Sequence, residues 1–361
     1  MTEIREFRID IPQADLDDLA ERLARVRWTD DFPDAGDDYG VSRSRVQALA
    51  DRWQHGYDWR AWEKRLNAYP QFTTEIDGQN IHFLHVRSAQ PGALPLLLTH
   101  SWPGTFVDFL PVIDRLSATF HLVIPSIPGF AFSGPTREKG WDRYRIAKAW
   151  AALMARLGYD RYGVHGNDAG SLISPEVGRF DRTHVAGVHV TQVFSFPSGD
   201  PTEFEGLSEE DMGRLLFLQW WNENGGAYDK LQSTSPATLA HALADSPVGQ
   251  LGWNAQLLGP NLDPDFVLTI VSIYWFTNTA GSSARLYYED RHSAYAPEGP
   301  TTVPLALANF RDDFQSIRRF GERDHRNIVS WTYYDSGSHY ATQDAPDLLV
   351  DDITRFFAEV A

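Results

Sequence analysis

The 361-residue chain contains no cysteine. That excludes a disulfide framework, a thiolate nucleophile, an iron–sulfur cluster and any cysteine-ligated zinc site. Positive charge is scarce: Lys and Arg total 32 against 49 Asp and Glu, a net charge of −17. A phosphate-rich partner would be repelled, so nucleic acid is not expected as a partner. No long apolar run occurs, and the opening MTEIREFRID mixes acids with bases and has no apolar signal core. The expectation is a soluble, cytoplasmic protein. HExxH, Walker and GxGxxG patterns are also missing, so the sequence calls for no metal and no cofactor. What remains is the chemistry of His, Asp, Glu, Ser and Tyr.

What is present is a chain long enough to bury about three quarters of its unfolded surface, with 13% aromatic residues. Residues 1–72 read as a helical meander. Leu16, Leu19, Leu23 and Val26 fall near a 3.6-residue period, and Val46 to Leu66 carries Trp53, Tyr57, Trp59 and Trp62. Such aromatics are expected to pack onto another surface. From Thr73 the texture changes to short apolar runs. Phe72–Ile76, Asp77-Gly78 and Ile81–Val86 predict a hairpin, because Asp-Gly supplies the positive φ angles of a tight turn. Leu94–Thr99, His121–Pro125 and Tyr162–His165 predict buried strands, with a helix over Tyr144–Leu157. This rhythm predicts an α/β fold with a mostly parallel sheet over residues 73–196. Residues 197–300, rich in Trp, Tyr, Gly and Pro, interrupt it and read as an inserted helical lid. It resumes over 301–361 with strands Val303–Ala308 and Ile328–Tyr333 and a helix over Leu348–Val360.

Gly166-Asn167-Asp168-Ala169-Gly170 follows a presumed strand and precedes a presumed helix. This is the setting of the nucleophile elbow of α/β hydrolases, whose flanking glycines avoid clashes with sheet and helix. A central aspartate suits attack at an sp³ carbon bearing a leaving group, giving an ester that water must cleave. The competing reading is a loop with an N-capping aspartate. Pro175 predicts a kink or an early break in the following helix. His100-Ser101-Trp102-Pro103-Gly104 follows the run Leu94–Thr99, so the backbone N–H groups of Trp102 and Ala169 are candidate oxyanion donors; taken alone, the segment is simply a turn after a strand. Asp313, with Asp312 as the alternative, follows one late strand and His339 another. Asp168, Asp313 and His339 thus stand in the order nucleophile, acid, base. His82 and His85 lie three apart on a strand and point to opposite faces, which argues against a metal pair.

At this point the chain resembles the microsomal-type epoxide hydrolases, specifically their soluble bacterial relatives, some of which serve natural-product pathways. The resemblance rests on FRIDIPQADLDDLAERL, YDWRAWEKRLNAYPQFTTEIDGQNIHFLHVRS, HSWPG, PSIPGFAFSGP, LMARLGYDRYGVHGNDAGS, LADSPVGQL and GSHYATQDAPDLL. It implies an α/β-hydrolase fold with an N-terminal meander clasping a helical lid, and a site between lid and core. It also implies two lid tyrosines that hydrogen-bond the epoxide oxygen, matched by Tyr228 in GAYDKLQST and Tyr287 in SSARLYYE, with Tyr288 pointing elsewhere. The family's HGWPG and GGH appear here as HSWPG and GSH, placing Ser101 and Ser338 where the family has glycines. No counterpart of the membrane anchor of mammalian relatives is expected.

The activity implied is opening of an apolar or aromatic epoxide to a vicinal diol through an ester of Asp168, hydrolysed by water that His339 activates. Substrate and water are the only small-molecule partners implied. Oligomeric state is left open, a homodimer included. Two alternatives stand beside this reading: a haloalkane dehalogenase, which also uses an aspartate nucleophile, and a lid-bearing ligand-binding protein whose triad is idle.

Overall fold

The computed structural model describes residues 3–32 and 34–361. Among them nine strands form one sheet: β1 (Arg5–Phe7), β2 (Gln71–Ile76), β3 (Gln79–Val86), β4 (Pro95–Thr99), β5 (His121–Pro125), β6 (Tyr162–Gly166), β7 (Val185–Val190), β8 (Leu305–Asp312) and β9 (Ile328–Ser338). Their order is β1-β2-β3-β5-β4-β6-β7-β8-β9. Pairing is antiparallel from β1 through β5 and parallel from β5 through β9. The parallel strands are apolar runs because helices cover both faces: every residue of β4, β6 and β7 is buried. The predicted hairpin is β2–β3, turning at Asp77 and Gly78 with φ of 51° and 72°.

The chain runs from β4 out to β5 on one side and then crosses to β6 on the other, so β4 lies at the point where strand order reverses. Loops leaving adjacent strands at such a point diverge and open a crevice at the carboxyl edge. The β4–β6 register pairs Thr99 with Gly166, and β6–β7 pairs Gly166 with Val190. The segments that begin at His100, Asn167 and Thr191 therefore emerge side by side.

Three features depart from expectation. Pro175 lies inside the helix Ala169–Phe180, which runs through it without breaking. The proline costs about 3 kcal/mol in a helix interior, and tertiary burial offsets this, since Pro175 and its neighbours Ile173 to Gly178 are all buried. The late strands β8 and β9 run on to Asp312 and Ser338, past the expected ends at Ala308 and Tyr333, through irregular pairing that matches Asp312 with Ser338. Arg5–Phe7 adds an edge strand where only helix was expected.

Between β7 and β8 the described residues form helices and no strand: Glu209–Asn224, Ala227–Thr234, Pro236–Asp245, Pro247–Ala255, Pro264–Thr277 and Ala280–Arg291. The N-terminal aromatics pack on this block. Trp53 Nε1 donates to Ser272 Oγ at 2.9 Å, the Tyr57 hydroxyl meets Thr269 Oγ1 at 2.9 Å, and Trp59 lies edge-on to Phe276 at 4.9 Å. No helix among the described residues is long and apolar enough to cross a membrane.

Candidate active site

Asp168 sits between β6 and its helix with φ 53° and ψ −112°, a conformation that side-chain-bearing residues rarely adopt. The turn is tight enough to demand both glycines. A Cβ on Gly166 would come 2.1 Å from the Gly170 carbonyl oxygen, and one on Gly170 would come 2.1 Å from that of Thr99. This strained turn lifts the carboxylate above the sheet edge, where the Trp102 backbone N–H donates to Asp168 Oδ1 at 2.9 Å. Burial raises the Asp168 carboxyl above its usual value, while His339 and the N–H groups of Trp102 and Ala169 pull it back.

His339 follows β9 and faces the carboxylate, its Nε2 lying 3.9 Å from Asp168 Oδ2. Its Nδ1 meets Asp313 Oδ1 at 2.8 Å. In the neutral ring that contact fixes the tautomer, with the proton on Nδ1 and Nε2 left to face Asp168. Burial by itself lowers the imidazole, but Asp313, with Asp168 and Asp108 behind it, outweighs this and raises it to about 9. Adjacent Asp312 points away, 61% exposed and paired with Arg311 at 3.1 Å. Asp313 is therefore the acid the geometry brings to the imidazole.

Across from these groups, Trp102 stacks on Tyr228 with centroids 5.4 Å apart and planes at 8°, and stands edge-on to Tyr287 at 5.5 Å. The two tyrosine rings meet edge-on at 6.0 Å. Burial, then the Asp168 charge, pushes both phenols up, so they stay protonated as donors. Neither hydroxyl has a protein hydrogen-bond partner among the described residues. Tyr288 is exposed and stacks on His292 at 4.0 Å.

Ser101 turns its hydroxyl onto buried Asp108 Oδ2 at 2.7 Å, away from the crevice. Burial raises that carboxyl to about 7. Ser338 Oγ accepts from the Tyr340 N–H at 3.2 Å. His82 is buried between Ser126 Oγ and Gln71 Oε1, both at 2.9 Å, and His85 meets the Tyr159 hydroxyl at 2.8 Å. Among the described residues no group of three His, Asp or Glu side chains is placed to hold a metal ion.

Sequence reasoning missed two residues that join the parts. Asn167 Nδ2 donates to the His339 carbonyl at 3.1 Å, and Gln192, just past β7, touches both the elbow and Asp313. The sequence marks Gln192 only as a polar residue two positions after an apolar strand, with nothing local to tie it to the elbow.

Residues 4–109 match the family model described as epoxide hydrolase N terminus, and 95–250 match that of the alpha/beta hydrolase fold. A relative from Stigmatella aurantiaca is 37% identical, the match covering 99% of this chain and 85% of that one. Epoxide hydrolase 1 of Sus scrofa is 29% identical over 98% of this chain and 88% of its own. The solved structure of an enantioselective mutant of the Aspergillus niger epoxide hydrolase superposes with a TM-score of 0.89 at 30% identity, covering 99% of this chain and 97% of that one. Fold and relatives agree: the chain belongs to the epoxide hydrolases of the α/β-hydrolase fold.

Proposed function

We propose that Asp168 is the nucleophile of a two-step epoxide hydrolysis that needs no cofactor. The observation that carries this reading is a carboxylate on the strained elbow, with an imidazole nitrogen 3.9 Å from it on one side. In the first step an Asp168 oxygen bonds to one epoxide carbon as its carbon–oxygen bond breaks. Tyr228 and Tyr287 hydrogen-bond the leaving oxygen, and one transfers its proton to it. The product is a hydroxyalkyl ester of Asp168.

The ester changes the electrostatics of its own hydrolysis. Esterified Asp168 is no longer an anion, so His339 loses one of the charges that raise it, and its proton affinity falls when a base is required. His339 then takes a proton from water, which attacks the ester carbonyl. The N–H groups of Trp102 and Ala169 receive the oxyanion, each donor of this kind contributing roughly 10²–10³ in rate. The bond between the ester carbonyl carbon and the substrate oxygen then breaks, His339 gives its proton to that oxygen to complete the diol, and the proton left on the Asp168 carboxyl passes to the tyrosinate.

The aromatic wall of Trp102, Tyr228 and Tyr287 favours an apolar or aromatic epoxide. Residues 197–300 act as a lid over the site, clasped by residues 1–72. A dehalogenase would need N–H donors for halide, and the Trp102 indole N–H is already directed at Ser283 Oγ, 3.3 Å away. Single turnover with excess enzyme in ¹⁸O water tests the route. The label should enter the Asp168 carboxylate and be absent from the first diol; direct labelling of that diol would rule the ester out.

A further inference from the structure

Gln192 is fully buried and makes contacts that the triad by itself does not explain. Its Oε1 accepts from the Asp168 N–H at 2.7 Å. The Ser171 and Thr191 hydroxyls lie 2.9 and 3.0 Å from the same oxygen. Its Nε2 donates to Asn167 Oδ1 at 2.7 Å and also to Asp313 Oδ2. The amide has a single workable orientation. Reversed, it would set its oxygen against the Asp313 carboxylate and its N–H groups against the Asp168 N–H.

One side chain thus ties the backbone of the nucleophile to the carboxylate that orients the base. Asp313 Oδ1 is occupied by His339 at 2.8 Å and by the Phe314 N–H at 2.7 Å. Gln192 is the protein donor to the other oxygen. A buried carboxylate that lacks such a donor turns or draws water. Water is near: a cavity of about 450 Å³ is lined by Gln192, Ser171, Leu172 and Glu176, but by neither Asp168 nor Asp313.

We propose that Gln192 is a positioning residue for ester hydrolysis, holding Asp313 at the angle that aims His339 Nε2 toward the esterified Asp168. This rests on the two-step reading above. Two consequences separate it from a merely structural role. Losing the donor should slow the step that needs an aimed base and spare the step that needs only the nucleophile and tyrosines. A carboxyl in its place would share a proton with Asp313, because two carboxylates this close do not both ionise, so it should keep the donor and with it the aimed base until that proton is lost.

The experiment is rapid-quench intact-mass analysis of ester formation and decay across pH, with styrene oxide as probe, for wild type, Gln192→Met, Gln192→Glu and His339→Gln, with Tm measured for each. Gln192→Met, which loses the acceptor of the Asp168 N–H as well as the donor to Asp313, should slow ester decay by about 10- to 100-fold and ester formation by a clearly smaller factor. Gln192→Glu, protonated against Asp313, should keep ester decay within about three-fold of wild type at neutral pH and lose it at alkaline pH as the shared proton leaves. Decay at the wild-type rate in Gln192→Met, or equal slowing of both steps with a lowered Tm, overturns the proposal. Should Gln192→Met fail to fold, the isosteric Glu variant decides: ester decay in Gln192→Glu that stays at the wild-type rate through alkaline pH overturns the proposal. Absence of ester in wild type and His339→Gln alike sinks the two-step reading itself; ester in His339→Gln with wild-type decay in Gln192→Met sinks only the role of Gln192.

Discussion

The two walls of the crevice are built by different physics. On the core side, Asp168, His339, Asp313 and Gln192 are joined by a continuous run of hydrogen bonds, including 2.7 Å from the Asp168 N–H to Gln192 and 2.8 Å from His339 to Asp313. On the helical side, Tyr228 and Tyr287 are held by ring packing against Trp102, and their hydroxyls bond to no protein atom among the described residues. Stacking sets the separation and tilt of the rings and adds about 0.5–1.5 kcal/mol beyond area burial. A hydrogen-bonded chain fixes direction and protonation as well. In the proposed mechanism the groups that exchange protons in a set order are over-determined, and those that meet a variable guest are left with free donors.

The comparison can be broken most severely at its centre. Asp168→Ala should abolish both ester formation and turnover, a loss of at least about 10⁴-fold, measured as diol release. His339→Gln should leave ester formation standing and reduce turnover by about 10²–10⁴-fold, with the enzyme-plus-epoxide mass accumulating. Tyr228→Phe and Tyr287→Phe should each slow ester formation by roughly 10²-fold while ester decay stays near wild type. That is the opposite split from a core-side change, and stopped-flow single turnovers read it.

pH sharpens the same contrast. His339 is raised to about 9 in the free enzyme, where the Asp168 anion contributes. Hydrolysis needs neutral imidazole and therefore fails as pH falls through the His339 value of the ester, which loss of the Asp168 charge shifts downward. Ester formation instead persists until Asp168 itself protonates, so mildly acidic solutions should trap the ester. ¹⁵N NMR of His339 in free enzyme and in trapped ester checks the direction. The smallest effect belongs to the neighbouring acid: exposed Asp312→Asn should change turnover by less than about two-fold, whereas Asp313→Asn should cost nearly as much as His339→Gln.

Much of the core-side wall was legible because local rules write it. The flanking glycines mark the elbow, and apolar runs mark β4, β5 and β6 within a residue of where they lie. The spacing from Phe310 favours Asp313 over Asp312 without excluding the latter, because the irregular pairing of β8 with β9 near these residues cannot be read from pattern. Arg5–Phe7 showed no strand signal, since a three-residue edge strand with two exposed residues has no alternation to read. The break expected at Pro175 is a local rule overruled by burial. Gln192 stayed invisible for a different reason: its partners lie 24 residues away at Asp168 and 121 away at Asp313, and no local window spans that.

The central claim is a covalent bond between an enzyme carboxylate and a substrate carbon. Its most direct test is peptide mapping of His339→Gln after acid quench with excess epoxide. The account predicts one added epoxide mass, localised to the peptide bearing Asp168 and released as diol at alkaline pH. An unmodified protein that still forms diol, or an adduct on any other residue, would contradict it.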